Sequence, residues 1–295
     1  MPELPEVETV CRGLNAATLH QTIVGGDVLL DRTIAHPFCM DDFIAGLTGQ
    51  AIAHWHRRGK YLLAEITSSA PSTAPSAWLG VHLRMTGQLF WVPPTTPLEK
   101  HCRVRLWFEG DRELRFVDQR TFGRMWWVPP GMEPSQIITG LTRLGPDPFT
   151  PDFSADYVAT WLSDRRRPIK TALLDQQFVA GVGNIYADEA LFLSGIHPTT
   201  DSSTLSFEQC TTLHTMIQRV LREGIESGGT TISTFRDLQG VNGNYGGLAW
   251  VYGREGDRCR VCDTVVERMK LAGRSAHFCP VCQPRRAIAT SRLSV

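Results

Sequence analysis

Cys259-Arg260-Val261-Cys262 and Cys279-Pro280-Val281-Cys282 are two Cys-x2-Cys knuckles separated by 16 residues. Each knuckle can present two thiolates to one ion, and the intervening length suits a β-hairpin that joins them around tetrahedral zinc. Four sulfur ligands leave no open coordination position, so such an ion folds a module and does not catalyse. The spacing therefore predicts a small metal-stabilised module near the C-terminal end. The other four of the eight cysteines, Cys11, Cys39, Cys102 and Cys210, are scattered and read as small core residues.

Upstream of the knuckles the pattern changes twice. Residues 224–247 are rich in Gly, Ser, Thr and Asn with little periodicity, the composition of a lid loop. Before them, 155–163, 169–177, 184–194 and 206–223 fit helices, the last opening with the capping-box pair Ser206 and Gln209. Gly145-Pro146-Asp147-Pro148 resists both helix and sheet and closes off what precedes it. There, seven short runs (51–55, 61–66, 78–85, 88–92, 102–108, 113–117 and 124–128) are bounded by turn residues and often alternate, which predicts an antiparallel sandwich or barrel. Residues 68–76 form a Ser/Pro/Ala segment expected to be an exposed loop. Val7, Val10, Leu14 and Ala17 recur at helical spacing, so the chain opens with an amphipathic helix.

With 295 residues and 42% hydrophobic content, the chain has room for two folded domains and a small appendage. No apolar run reaches membrane-span length, and the first residues lack a signal-peptide layout, so a soluble intracellular protein is expected. The formal net charge of zero hides an uneven distribution. Residues 251–295 hold nine Lys/Arg against four Asp/Glu, and further basic clusters occupy 54–60 and 165–170. Phosphate binding needs local positive potential, not a positive total, although a basic cluster by itself can equally be a solvated face.

The chain begins Met1-Pro2-Glu3-Leu4-Pro5-Glu6. If Met1 is removed, Pro2 becomes a secondary amine titrating near the usual α-amino range of about 7.7 to 8.0, with a carboxylate beside it. Attack of such an amine on a sugar C1′ or a carbonyl must give a charged iminium, an electron sink of the Schiff-base kind. Glu3 is placed to supply or accept the proton. Pro2 and Pro5 also suit the run-in to a helix, with Pro5 in its first turn.

Taken with the four-cysteine module, the opening Met1 to Glu8, Gly59-Lys60-Tyr61-Leu62, His82-Leu83-Arg84-Met85-Thr86-Gly87, Asp118-Gln119-Arg120-Thr121-Phe122-Gly123 and the run from Gly181 to Glu189 resemble bacterial formamidopyrimidine-DNA glycosylases in order along essentially the whole chain. The resemblance implies an α+β multidomain protein: an N-terminal β-sandwich catalytic domain with flanking helices (1–135), a linker (136–153), a helix-two-turns-helix DNA-binding domain with the Gly-rich lid loop (154–247), and a zinc finger (248–295). It implies damaged double-stranded DNA as partner, gripped between the two halves by a monomer, one structural zinc, and a cytoplasmic, nucleoid-associated location.

It also implies roles. Pro2 attacks C1′ of an oxidised purine nucleotide extruded from the duplex, since neither sugar carbon nor base is reachable in the stack. Glu3 is the general acid and base, and Lys60 and Arg274 handle the phosphates and protons of β- and δ-elimination, Arg274 by binding phosphate, because guanidinium stays protonated. Met85, Arg120 and Phe122 form a wedge that replaces lost stacking and contacts the orphaned base. His101, Arg165, Lys170 and Asn184 match DNA-backbone contacts, the glycines before Asn184 suiting a turn that presents N–H groups to phosphate. Gln119 and Thr121 depart from relatives that carry proline and a second arginine, which puts one phosphate-facing charge in doubt. Three other readings differ in chemistry. An endonuclease VIII type would prefer oxidised pyrimidines and usually has glycine where Leu4 stands. A silent zinc-ribbon DNA-binding protein would not require Met1 removal. An N-terminal-proline tautomerase would be a small chain without the zinc module.

Overall fold

The structure is a computed structural model that describes residues 1–68, 75–230, 238 and 240–285. Parts of the expected exposed loop (69–74) and of the expected lid (231–237 and 239) lie outside the described residues. In chain order the elements are α1 (Leu4–Thr18), β1 (Ile23–Val28), β2 (Ile34–His36), α2 (Met40–Leu47), β3 (Gln50–Arg58), β4 (Tyr61–Ser68), β5 (Ala77–His82), β6 (Gly87–Val92), β7 (Cys102–Phe108), β8 (Arg112–Asp118) and β9 (Arg124–Val128). They are followed by the one-turn α3 (Pro134–Ile137), α4 (Ala155–Ser163), α5 (Ile169–Leu173), α6 (Asn184–Leu193), α7 (Phe207–Glu226), the one-turn α8 (Tyr245–Leu248), β10 (Glu267–Leu271) and β11 (Arg274–Phe278). The chain divides into two compact units, Met1–Asp147 with Leu221–Gly247, and Pro148–Val220 with Leu248–Val295.

The first unit is a β-sandwich. One sheet has the order β1-β7-β8-β6 and the other β2-β9-β5-β4-β3, every pairing antiparallel except β2 with β9. The alternation seen in the sequence places Val104, Leu106 and Phe108 in the core with Leu89, Leu114 and Phe116, facing Ile52, Leu62, Leu79 and Val81 of the second sheet. Helix α1 adds Val7, Val10 and Leu14 to the same core, one face of a 3.6-residue period.

Two strands escape the sequence pattern. Gly25 and Gly26 give β1 the appearance of a turn, yet a Cβ on Gly26 would sit 2.4 Å from the carbonyl oxygen of Arg105, so glycine permits the close approach of β7. Strand β2 is three residues long, too short for periodicity. Helix α2, also unmarked in the sequence reading, buries Phe43 and Leu47 one turn apart and carries Asp41 and Asp42 at its N-terminal end, where the helix dipole favours negative charge. Cys11, Cys102 and Cys210 are buried as expected, but Cys39 is exposed at the N-cap of α2 and is not a core residue.

The second unit is helical with an appended hairpin. Helix α4 has the expected bounds, while α5 ends at Leu173, where Gln176 instead braces the following turn, accepting from the Gly181 N–H at 2.9 Å and donating to the Val182 carbonyl at 2.8 Å. The capping box at the start of α7 forms in both directions: the Ser206 N–H donates to Gln209 Oε1 at 3.1 Å and the Gln209 N–H to Ser206 Oγ at 3.3 Å. Strands β10 and β11 form the hairpin between the two cysteine knuckles. No helix among the described residues is long and apolar enough to cross a membrane.

Candidate active site and metal centre

Glu3 is the N-cap of α1, and it forms a reciprocal capping box with Glu6 in which the Glu3 N–H donates to Glu6 Oε2 at 2.7 Å. Pro2 and Glu3 are buried, Glu3 at 2% exposure, whereas Met1 is 46% exposed. The cap thus fixes the Pro2–Glu3 peptide on the sandwich and leaves Met1 accessible.

Lys60 sits in the two-residue turn between β3 and β4, after Gly59 at φ 57°, and is 7% exposed. The two arginines before it are tied into the fold, while His54 and His56 are exposed. Trp55 is 1% exposed; Arg57 donates to Glu8 of α1 at 2.8 Å and to Asp147 at 2.7 Å; and Arg58 donates to the Gly145 carbonyl at 2.7 Å. These ties mount the Lys60 turn rigidly and connect it to the helix that Glu3 caps. Across β4 and β5, Tyr61 stands edge-on to His82 with ring centroids 4.5 Å apart. Burial first, then the nearby Arg84 and Lys60 charges, pull the His82 imidazole down to about 3, so it is neutral at physiological pH. Its Nδ1 accepts from the Arg84 N–H at 3.0 Å, which leaves the proton on Nε2.

The wedge candidates lie on two loops joined through one carboxylate. Asp118, 1% exposed, accepts from the Thr86 hydroxyl, from the Arg120 N–H at 3.2 Å and from the Gly123 N–H at 2.7 Å. The Arg120 N–H also donates to Thr86 Oγ1 at 3.0 Å. Met85 and Phe122 are 38% and 48% exposed, unlike ordinary residues of their type, and the Arg120 guanidinium lies 5.0 Å over the Phe122 ring. Thr121 takes a hydrogen bond from the Arg32 guanidinium, so an arginine from outside the loop reaches it. His101 joins the cluster: its carbonyl accepts from the Asp118 N–H at 2.9 Å, and Arg103 bridges the Asp118 carbonyl (2.9 Å) and His101 Nδ1 (3.1 Å). A guanidinium only donates, so Nδ1 accepts and the His101 ring N–H is on Nε2.

In the second unit Arg165 stacks on Trp161 at 3.9 Å, and Arg167 lies over the same ring at 4.9 Å while pairing with Asp175. Asn184 is the first residue of α6, behind Gly181 at φ 97° and the N-cap Gly183, and its Nδ2 donates to Ser275 Oγ at 3.2 Å, beside the exposed Arg274. Lys170 is not at the surface. It is 1% exposed, and its ammonium pairs with Asp188 and donates to the Ser275 carbonyl. Glu189, fully buried, accepts from the N–H groups of Trp250 (2.7 Å), Val251 (3.0 Å) and Tyr252 (2.9 Å); burial raises its pKa and these three donors oppose the rise.

The sulfurs of Cys259, Cys262, Cys279 and Cys282 lie within 4.8 Å of one another, with individual separations of 3.3, 3.5 and 3.9 Å. Tetrahedral zinc with Zn–S of about 2.3 Å requires sulfur-to-sulfur edges of about 3.8 Å, so the donor set fits.

Residues 1–125 match the Formamidopyrimidine-DNA glycosylase N-terminal domain, 144–236 the Formamidopyrimidine-DNA glycosylase H2TH domain, and 256–285 the Zinc finger found in FPG and IleRS. A formamidopyrimidine-DNA glycosylase from a Nostoc species is 62% identical over 96% of this chain and 100% of its own. The chain belongs to the formamidopyrimidine-DNA glycosylase family. The Nostoc punctiforme member is 60% identical over 98% of each chain. Among solved structures of the family, Lactococcus lactis Fpg with DNA containing an abasic site superposes with a TM-score of 0.86 at 35% identity, over 96% of this chain and 100% of that one. A mutant of the same protein with Fapy-dG DNA gives 0.87, also at 35% identity and the same coverage. The zinc-finger match and the four converging sulfurs together assign a metal site of the zinc-finger type.

Glu6, His82, Asp118, Asp188 and Glu189 stand inside the motifs quoted from the sequence, but reading those motifs assigned them no individual role. Glu6 was signalled by its three-residue offset from Glu3. Asp188 and Glu189 were signalled by standing as an acidic pair inside the buried run Ile185 to Phe192, where carboxylates are retained only with donors to bind.

Proposed function

We propose that this DNA glycosylase excises oxidised purines, 8-oxoguanine and formamidopyrimidines, from duplex DNA and then cleaves the strand, with the amine of Pro2 as nucleophile. The N-terminal cap carries this reading: Pro2 and Glu3 are held in a buried, hydrogen-bonded corner from which only Met1 protrudes. Removal of Met1 turns the Pro2 nitrogen from an amide into a secondary amine. The amine attacks C1′ of the extruded nucleotide, the N–C1′ bond forms, and the glycosidic bond breaks with its electron pair leaving on the base. Proton transfer through Glu3 assists sugar ring opening and yields the iminium. The iminium acidifies C2′; loss of that proton expels the 3′ phosphate, and a second elimination expels the 5′ phosphate.

Lys60, on its rigid turn, and Arg274, at the hairpin, hold these phosphates, and Arg274 remains cationic throughout. Met85 and Phe122 fill the vacated stack, and Arg120 contacts the orphaned base. His101, Arg165 and Asn184 bind the DNA backbone. One structural zinc on the four cysteines folds the hairpin and takes no step in the chemistry. The protein works as a monomer in the cytoplasm, on nucleoid DNA.

Incubation with duplex DNA carrying 8-oxoguanine opposite cytosine, followed by borohydride, tests the mechanism, because reduction traps an iminium irreversibly. A covalent complex with the sugar remnant mapped to Pro2 is expected, and protein retaining Met1 gives none. An adduct on Lys60, or strand cleavage by protein with a blocked N-terminus, overturns the assignment of Pro2.

A further inference from the structure

Ala272 and Gly273, at φ 47° and 78°, make the two-residue turn between β10 and β11 and set Leu271 opposite Arg274. Residues flanking such a turn form a hydrogen-bonded pair, so by alternation Lys270 with Ser275 and Arg268 with His277 are non-hydrogen-bonded pairs. The peptide groups of Ser275 and His277 therefore point away from β10, along the open edge of a sheet that has two strands among the described residues. An open edge is a row of unpaired donors and acceptors.

Side chains occupy this edge where a third strand would run. Asp188 Oδ2 accepts from the His277 N–H at 3.0 Å and lies 3.1 Å from His277 Nδ1. Lys170 Nζ donates to the Ser275 carbonyl and to Asp188 Oδ1, each at 2.5 Å. Both side chains are buried, Asp188 at 0% and Lys170 at 1% exposure. A buried ion pair is a poor source of stability, since its desolvation cost rivals its attraction, and its best-attested use is to fix a register. The register fixed here is that of the strand whose first residue is Arg274. Arg274 itself is exposed beside a shallow cavity of about 450 Å³ that Arg268, Lys270 and Ser275 also line.

We propose that Asp188 and Lys170 are positioning residues for Arg274: they take the place of a third strand on the hairpin's open edge and so set where the Arg274 guanidinium meets a DNA phosphate. The inference rests on the reading of Arg274 as a phosphate ligand.

The test uses full-length, zinc-loaded Asp188→Asn, Arg274→Ala and the double variant, binding duplex DNA with a tetrahydrofuran abasic analogue across about 50 to 200 mM salt. Arg274→Ala is expected to lower affinity and to reduce the slope of log K against log salt by about 0.9, one phosphate contact. Asp188→Asn is expected to reduce the slope by the same amount although it removes no positive charge, and to add nothing in the Arg274→Ala background. A part confined to holding the module together would change melting temperature and zinc content while leaving the slope at the wild-type value. That result, with Arg274→Ala lowering the slope, overturns the positioning role and leaves the phosphate reading intact. An unchanged slope in Arg274→Ala sinks both. Should Asp188→Asn fail to accumulate zinc-loaded, the neutral pair K170M/D188N is measured in the same way with the same expectation.

Discussion

The Glu6 carboxylate reaches a residue 224 positions away: its Oε1 accepts from the Thr230 N–H at 2.7 Å while its Oε2 accepts from the Glu3 N–H at 2.7 Å. The peptide beside Pro2 is thereby tied to the base of the Gly-rich segment. That base is cinched further. Thr230 bridges Asn244, the Tyr245 N–H donates to the Gly229 carbonyl at 3.0 Å, and Gly243 packs so closely that a Cβ there would fall 2.4 Å from Gly229 O.

Replacing Glu6 by Ala leaves two buried N–H groups without their acceptor, each worth about 1 to 3 kcal/mol. Urea unfolding should show a loss of about 2 to 5 kcal/mol, and borohydride trapping on abasic DNA should slow because Glu3 loses its mount. Glu6→Gln, which keeps one acceptor oxygen, should lie between. Wild-type stability and trapping rate in Glu6→Ala would remove Glu6 from this role.

The wedge should fail in separable ways. Phe122→Ala is expected to impair excision of a stacked lesion more than cleavage at an abasic site, where less unstacking is needed. Arg120→Ala should relax dependence on the opposite base, losing about 1 to 3 kcal/mol of discrimination. Asp118→Asn turns one acceptor into a donor facing an N–H or hydroxyl, so it should reproduce both defects together. Unchanged ratios between lesion and abasic substrates in all three variants would show that these loops are not the wedge.

His82 predicts an acid limb of stability. Its folded value, about 3, lies below the ordinary 6.5, so the unfolded chain takes up the proton first. Its contribution is complete above about pH 6.5 and is lost at about 1.4 kcal/mol per pH unit as pH falls toward the folded value. His82→Asn, whose side-chain oxygen can still accept from the Arg84 N–H, should flatten the limb by one proton between about pH 6 and 4. Denaturant titrations across this range read the difference; parallel curves for the two proteins would contradict the buried neutral imidazole.

Stripping the metal should unfold the hairpin, since in zinc-finger peptides zinc binding is worth about 10 to 16 kcal/mol and is itself folding energy. Cys259→Ser should abolish DNA binding while leaving the sandwich core folded, as followed by the tryptophan signals of buried Trp55. Soluble, active protein with no zinc by metal analysis would end this account, and the zinc-to-protein ratio gives the number of sites.

Local chemistry made much of this protein legible in its sequence. The two cysteine knuckles, the alternation around Val104 to Phe108, the capping pair Ser206 and Gln209, and the bounds of α4 all depend on residues within a few positions of each other, where spacing alone decides geometry. The order of the short motifs placed the family as well. What sequence spacing could not decide is what a buried polar side chain binds. Lys170 reads as a phosphate contact in a basic run but lies against Asp188, and Arg57 reads as part of a charged patch but joins Glu8 and Asp147. Gly25 and Gly26 carry no strand pattern of their own, yet they form a strand because β7 approaches closely. In each case the deciding partner is remote in sequence, and a buried donor or acceptor must find its partner wherever the fold brings one. Only the tertiary structure assigns those partners, because they are set by which backbone groups the sheets and helices leave unpaired.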